Sequence, residues 1–198
     1  MVNPENITEF DLCNYELEER ILFWICAAGK NGRTAARSLQ LLMDATGALF
    51  WGPLASIYRA WLVRDLPHLL KFCGIGCYNS KARSFLELYE AVQSGKLNLR
   101  TCTAEELEQI HGIGMKTSRC FIMHSRYGAR YAGLDTHLLK YLRAQGIEDV
   151  PKATPSSKKQ YLRLEQEFLR IADEQGKIPS VLDLEIWNKY SVKSTVRT

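Results

Sequence analysis

Two residues of this 198-residue chain are placed to do covalent chemistry together: Lys116, two positions after Gly112-Ile113-Gly114, and Asp135, directly before Thr136-His137-Leu138-Leu139. A lysine amine adds to an electrophilic carbon such as a sugar C1′ only as the free base. Partial burial, basic neighbours and a helix N-terminus all favour that form. Aspartate is a favoured helix N-cap, and capping alone would account for Asp135. The two roles are compatible. A carboxylate held by amide donors stays ionised and rigid, suited to stabilising positive charge on a departing sugar or to activating the nucleophile.

The stretch that delivers Lys116 reads Leu107-Glu108-Gln109-Ile110-His111-Gly112-Ile113-Gly114-Met115-Lys116-Thr117. It predicts a helix, a glycine hairpin and a second helix. The glycines permit a tight turn that exposes amide N–H groups, and the following helix start adds a positive dipole end. Such a surface grips a phosphate oxygen without reading sequence. His111, Gly112, Ile113, Gly114, Met115 and Thr117 are the candidate contacts, with Arg119 and His137 beside them. From Lys116 to Arg143 six basic residues (Lys116, Arg119, Arg126, Arg130, Lys140, Arg143) face one acid, Asp135. A local basic surface of this kind binds nucleic acid by releasing counterions. An amine, a carboxylate and a phosphate grip together form a kit for cutting a base from DNA.

These residues must be held by helices, since apolar residues recur at helical spacing and no alternating strand run is found. Helices are predicted over residues 17–28, 34–43, 54–63 after Pro53, 67–72 and 80–94. Thr103 with Glu106 forms a capping box, and further helices are predicted over 117–125, 136–144, 156–175 and 182–190. Leu70-Lys71-Phe72-Cys73-Gly74-Ile75-Gly76 echoes the hairpin sequence, each helix end running into Gly-Ile-Gly. The expectation is an all-α fold, a single domain over residues 1–198 made of two lobes. The N- and C-terminal helices form one lobe and residues 45–130 the hairpin lobe, with the active-site cleft between them.

Composition sets the outer bounds. The chain is 46% hydrophobic and 24% charged with a net charge of +4, ordinary for a globular protein. No apolar run approaches the 18 or more residues a membrane span needs, and the acidic, polar start does not resemble a signal peptide. An intracellular protein with no membrane partner is expected. The six cysteines (Cys13, Cys26, Cys73, Cys77, Cys102, Cys120) form no Cys-x-x-Cys pair, so they are read as reduced packing groups rather than metal ligands. None follows Cys120, which rules out a C-terminal four-cysteine iron–sulfur cluster.

Residues 107–142 resemble the helix–hairpin–helix DNA glycosylase superfamily, with its Gly-x-Gly hairpin, following lysine and later aspartate. Leu17-Glu18-Glu19 through Ile25-Cys26-Ala27-Ala28-Gly29-Lys30, then Tyr78-Asn79-Ser80-Lys81-Ala82, and Leu182-Asp183-Leu184-Glu185-Ile186-Trp187 resemble the short Ogg2-type 8-oxoguanine DNA glycosylase/AP lyases. The resemblance implies the two-lobed glycosylase fold and a bifunctional enzyme. Lys116 would form a Schiff base with the sugar of a flipped 8-oxoguanine nucleotide and then cleave the strand by β-elimination, assisted by Asp135. It implies base-pocket roles for Trp187, Cys77 and Lys30. It needs no catalytic metal and no cofactor, with a monovalent ion at the hairpin carbonyls as the one ion it accommodates. It implies double-stranded DNA with a damaged base as partner, a monomer, and the cytoplasm or nucleoid of a prokaryote as the setting. Two alternatives stay open: the same mechanism on another lesion such as an oxidised pyrimidine, and a non-catalytic helix–hairpin–helix module that binds DNA. The sequence departs from the family pattern at His111, where proline is frequent, at Cys77, where a larger aromatic is expected, and in the polar tail from Ser191 to Thr198 beyond Trp187.

Overall fold

A computed structural model of the chain describes residues 2–63 and 65–191; the polar tail from 192 to 198 lies outside the described residues. Among them the regular structure is entirely helical. The elements are α1 (Asn14–Ala27), α2 (Gly32–Thr46), α3 (Ala48–Trp51), α4 (Pro53–Val63), α5 (Leu66–Phe72), α6 (Tyr78–Gln93), α7 (Ala104–Leu107), α8 (Met115–Ser125), α9 (Thr136–Ala144), α10 (Lys158–Glu174) and α11 (Pro179–Ser191), after a 3₁₀ turn at Pro4–Asn6. The all-α expectation holds. Helix α2 begins two residues before the predicted start because Asn31 Oδ1 accepts from the amides of Arg33 and Thr34. The capping box of Thr103 and Glu106 forms as predicted.

The chain divides into two compact units. The first holds Asp11–Phe121 with the stretch up to Pro4; the second holds Glu5–Phe10 with the chain from Ile122 onward. In the first, Leu17, Ile21, Leu22 and Ile25 of α1 are buried together with Leu39 and Leu42 of α2, Leu54 and Ile57 of α4, and Phe85 and Leu88 of α6. Each such side chain contributes about 1.5–3 kcal/mol when fully removed from water. This core fixes two structures that concern the site: the end of α1, and α6, against which the hairpin rests.

The second unit is built on Leu138, Leu139 and Leu142 of α9, Tyr161, Leu164 and Phe168 of α10, and Leu182 and Ile186 of α11. His124, buried at the end of α8, draws three segments together. Thr8 Oγ1 lies 2.7 Å from its Nδ1 and Asp183 Oδ2 lies 3.1 Å from its Nε2. The amide of Glu9 donates to the His124 carbonyl, and Asn188 of α11 donates to the carbonyl of Glu5. Helix α11, which carries Trp187, is thereby tied to the N-terminal stretch. Nothing in the sequence around residues 5–10 announces that pairing.

Of the six cysteines, Cys26, Cys73, Cys102 and Cys120 are buried, Cys13 and Cys77 are exposed, and all are free thiols. Burial pushes the Cys26 thiol up to about 12, so it packs as an apolar group.

Candidate active site

The hairpin is fixed from behind by one face of α6. The three residues responsible, Ser80, Ser84 and Glu87, are spaced i, i+4 and i+7 and therefore lie along a single helical stripe. Glu87 accepts from the backbone amide of His111 at 2.8 Å, and Ser80 Oγ lies 3.0 Å from His111 Nε2. Gly112 adopts φ +77°, and a Cβ built there would lie 2.5 Å from Ser84 Oγ. The hydrogen bond to the His111 amide, with the Arg83 side chain behind it, holds the Glu87 carboxyl below its ordinary range. Sequence reading missed this clamp; the run of short polar side chains on an otherwise amphipathic helix was the available signal.

The two helices flanking the hairpin are joined by a buried ion pair. Arg119 is 1% exposed; its guanidinium donates to Glu108, which also accepts from Ser118 Oγ at 2.9 Å, and Glu105 lies 3.9 Å away. Arg119 is therefore not a surface cation, and its expected phosphate contact is corrected to a structural one. The acids that match its charge lie before the basic window and so were not weighed against it. Arg130 is exposed but pairs with Asp173, an acid beyond the window, at 2.7–2.9 Å, while Arg143 donates to the carbonyls of Val150 and Pro151. The basic surface is narrower than the residue count implies. Ile113 and Thr117 are buried too, so only their backbone groups remain as candidate contacts. His111 is half-buried and turned toward α6. Gly112 and Gly114 are exposed, and a Cβ on Gly114 would meet nothing within 4 Å. That open face lies against the first turn of α8, whose leading amides have no intrahelical acceptor.

Gly112→Ala tests the clamp. The left-handed backbone costs about 1–2 kcal/mol for a residue with a Cβ, and Ser84 must rotate away from its bond to the Ser80 carbonyl. A lower denaturation midpoint and weaker DNA binding are expected together. Unchanged values in both measurements would show that the hairpin does not rely on this packing.

Lys116 is the second residue of α8. It is half-buried, with Nζ 5.8 Å from the centroid of the Trp24 ring on α1. Close to the end of α1 lies another lysine of different character. Lys81 is 6% exposed, and its Nζ donates to the carbonyls of Cys26 at 2.9 Å and Ala28 at 3.2 Å. Burial pushes its ammonium below the ordinary lysine range. Its donors are committed to the last carbonyls of α1, which is the work of a helix C-terminal cap. Lys30 lies across Gly76: a Cβ there would be 2.7 Å from Lys30 Cε and 3.4 Å from Nζ. The next residue, Cys77, is exposed and holds φ +52° at the N-cap of α6. Lys30 and Cys77, two of the three residues assigned to a base pocket, thus flank one glycine.

In the second unit Asp135 caps α9 as predicted. Its Oδ1 accepts from the amides of His137 and Leu138, both at 2.8 Å. The loop before it is held by buried side chains of α10. Tyr161 Oη donates to the Ala132 carbonyl at 2.7 Å and accepts from the Leu134 amide at 3.3 Å; Glu165 accepts from the Ala132 amide at 2.9 Å. Thr154 Oγ1 closes the set on the Leu134 carbonyl at 2.7 Å. Sequence reading missed all three. Tyr161→Phe leaves two backbone groups of this loop unmet and is expected to destabilise by about 1–3 kcal/mol. Urea unfolding checks it, and a loss under 0.5 kcal/mol would mean the loop needs no such support. His137 is half-buried, and its Nδ1 is buried with no hydrogen-bond partner among the described residues. Trp187 is half-buried on α11.

Comparison with known proteins identifies the family. The family model for 8-oxoguanine DNA glycosylase matches residues 19–177. A relative named 8-oxoguanine DNA glycosylase/AP lyase from Saccharolobus islandicus (strain L.S.2.15) is 32% identical over 200 residues, spanning 93% of this chain and 89% of its own. One of the same name from Thermotoga sp. (strain RQ2) is 36% identical over 86 residues, 43% of this chain and 39% of its own. Among solved structures, the Methanocaldococcus jannaschii 8-oxoguanine glycosylase/lyase in complex with a 15mer DNA containing 8-oxoguanine superposes with a TM-score of 0.68 at 22% identity, covering 91% of this chain and 83% of the other. The 8-oxoguanine DNA glycosylase of Thermotoga maritima gives 0.66 at 23% identity, over 89% and 80%. At those identities the structural likeness establishes the fold. With the family match over residues 19–177 and a relative alike along nearly its whole length, the chain belongs to the 8-oxoguanine DNA glycosylase family.

Proposed function

We propose that this protein excises 8-oxoguanine from double-stranded DNA and then cleaves the strand as an AP lyase. The observation that carries the reading is Lys116: an amine half-buried on the first turn of α8, directly behind an open glycine hairpin, in a chain matched over 93% of its length by a relative named glycosylase/AP lyase. The damaged nucleotide must leave the base stack, because C1′ is out of reach within it. Phosphates are held by the backbone amides of Gly114, Met115 and Thr117. His137, on the first turn of α9, is the candidate contact from the second unit.

The free amine of Lys116 attacks C1′ as the glycosidic bond breaks, and the base departs with the bonding electrons and takes up a proton. Asp135, held in place by the α9 amides, stabilises the positive charge that develops on the sugar. Loss of the nitrogen proton and opening of the ring give an imine between Nζ and C1′. Removal of a C2′ proton then expels the 3′ phosphate, and water releases the lysine. No step calls for a redox cofactor or a metal. The enzyme acts on this reading as a monomer in the cytoplasm or nucleoid of a prokaryote; no helix among the described residues is long and apolar enough to cross a membrane.

Lesion choice is tested with duplexes carrying 8-oxoguanine or an oxidised pyrimidine. Faster excision of 8-oxoguanine is expected. A preference for the pyrimidine lesion would keep the mechanism and overturn the substrate. Binding to both without excision would leave a DNA-binding module.

A further inference from the structure

We propose that Trp24 is the positioning residue for the reactive amine, seating the Lys116 side chain on its indole face. The inference rests on the reading of Lys116 as nucleophile. Nζ lies 5.8 Å from the ring centroid, within the roughly 6 Å over which an aromatic face attracts a cation. Among the described residues of the first unit, no carboxylate or carbonyl partners the ammonium. Trp24 is itself half-buried and set edge-on against Phe23, with centroids 5.1 Å apart at 65°, and Phe23 is fully enclosed. The ring is thus anchored to the core of the first unit rather than free to follow the lysine.

The contrast with Lys81 explains why the partner is a ring. Both lysines meet the C-terminal half of α1. The carbonyls of Cys26 and Ala28 occupy the Lys81 ammonium with directed hydrogen bonds, which fix it in place. A π face attracts the cation but offers no lone pair to its protons. It aims the long, flexible side chain, and its hold weakens once the proton is lost and the nitrogen must move onto C1′. A carboxylate at the same place would hold the charged form with a charge-assisted hydrogen bond and delay that release. Trp24 therefore supplies orientation without sequestration, and placement of a reacting group is a large lever on rate.

The test uses Trp24→Leu and Trp24→Phe in the full chain, with single-turnover borohydride trapping on an 8-oxoguanine duplex. Trp24→Leu is expected to lower the trapping rate about 10-fold while duplex affinity stays within about twofold of wild type. Trp24→Phe, which keeps a π face, is expected to retain at least about a third of the rate. A readout independent of activity is the carbon-13 spectrum of reductively dimethylated protein. The N-methyl resonance of Lys116, assigned with Lys116→Gln, should be shifted upfield by the indole ring current and return to the bulk lysine position in Trp24→Leu. A wild-type trapping rate in Trp24→Leu, equal losses in both variants, or a Lys116 resonance without ring-current shift would overturn the proposal. If Trp24→Leu does not fold, the wild-type spectrum and Trp24→Phe still decide. Failure of the underlying reading looks different: Lys116→Gln would then trap DNA as well as wild type, whatever Trp24 does.

Discussion

Lys116→Gln is expected to abolish the borohydride-trapped DNA adduct and strand cleavage by β-elimination, and to slow base excision by at least about 10³-fold, some 4 kcal/mol of transition-state stabilisation. The protein should still fold. The side chain is half-buried with a single aromatic contact, so glutamine forfeits about 1 kcal/mol of cation–π attraction and little packing. Duplex binding should persist, since the hairpin amides are backbone groups. The variant thereby separates catalysis from recognition. A stable, DNA-binding Lys116→Gln protein that still cleaves at the lesion would show that a different amine does the chemistry.

Asp135→Asn has the second-largest expected effect and distinguishes the two jobs of that side chain. Asparagine is as good an N-cap as aspartate, and its Oδ1 can accept from His137 and Leu138 as the carboxylate does. Stability should change by less than about 1 kcal/mol. The charge is lost, so excision should fall about 10²–10⁴-fold. Asp135→Ala should lose both the cap and the rate. If Asp135→Asn cleaves at the wild-type rate, the residue is a cap and nothing more. Thermal unfolding alongside single-turnover excision separates the two variants from each other and from wild type.

Much of this was legible in the sequence because it depends on local rules. Thr103, Glu106 and Asp135 announce helix starts through the hydrogen bonds their side chains make to nearby amides, and the structure has those bonds. The glycine hairpin and the helix behind it follow from the same kind of short-range reading. Charge was less legible. Arg119 and Arg130 count as basic residues in a window, yet Glu108 and Asp173 match them from outside it, and only the fold brings such partners together. The supports of the site were not legible at all. Ser80, Ser84 and Glu87 behind the hairpin, Tyr161 and Glu165 behind the Asp135 loop, and Trp24 beneath Lys116 are separated in sequence from what they hold. Each is an ordinary residue type for a helix face until its neighbour is known. Lys30, Lys81 and Lys116 illustrate the point. Three lysines are indistinguishable as letters, but one crosses a glycine, one caps a helix and one rests on a ring.

The most direct measurement of the central claim is the location of the covalent bond. Wild-type protein reduced with borohydride during reaction with an 8-oxoguanine duplex, digested and mapped by mass spectrometry, should carry the sugar remnant on the peptide containing Lys116 and on no other. A remnant on Lys30, on Lys81 or on the N-terminal amine would contradict the assignment, even if the enzyme proved to be a glycosylase.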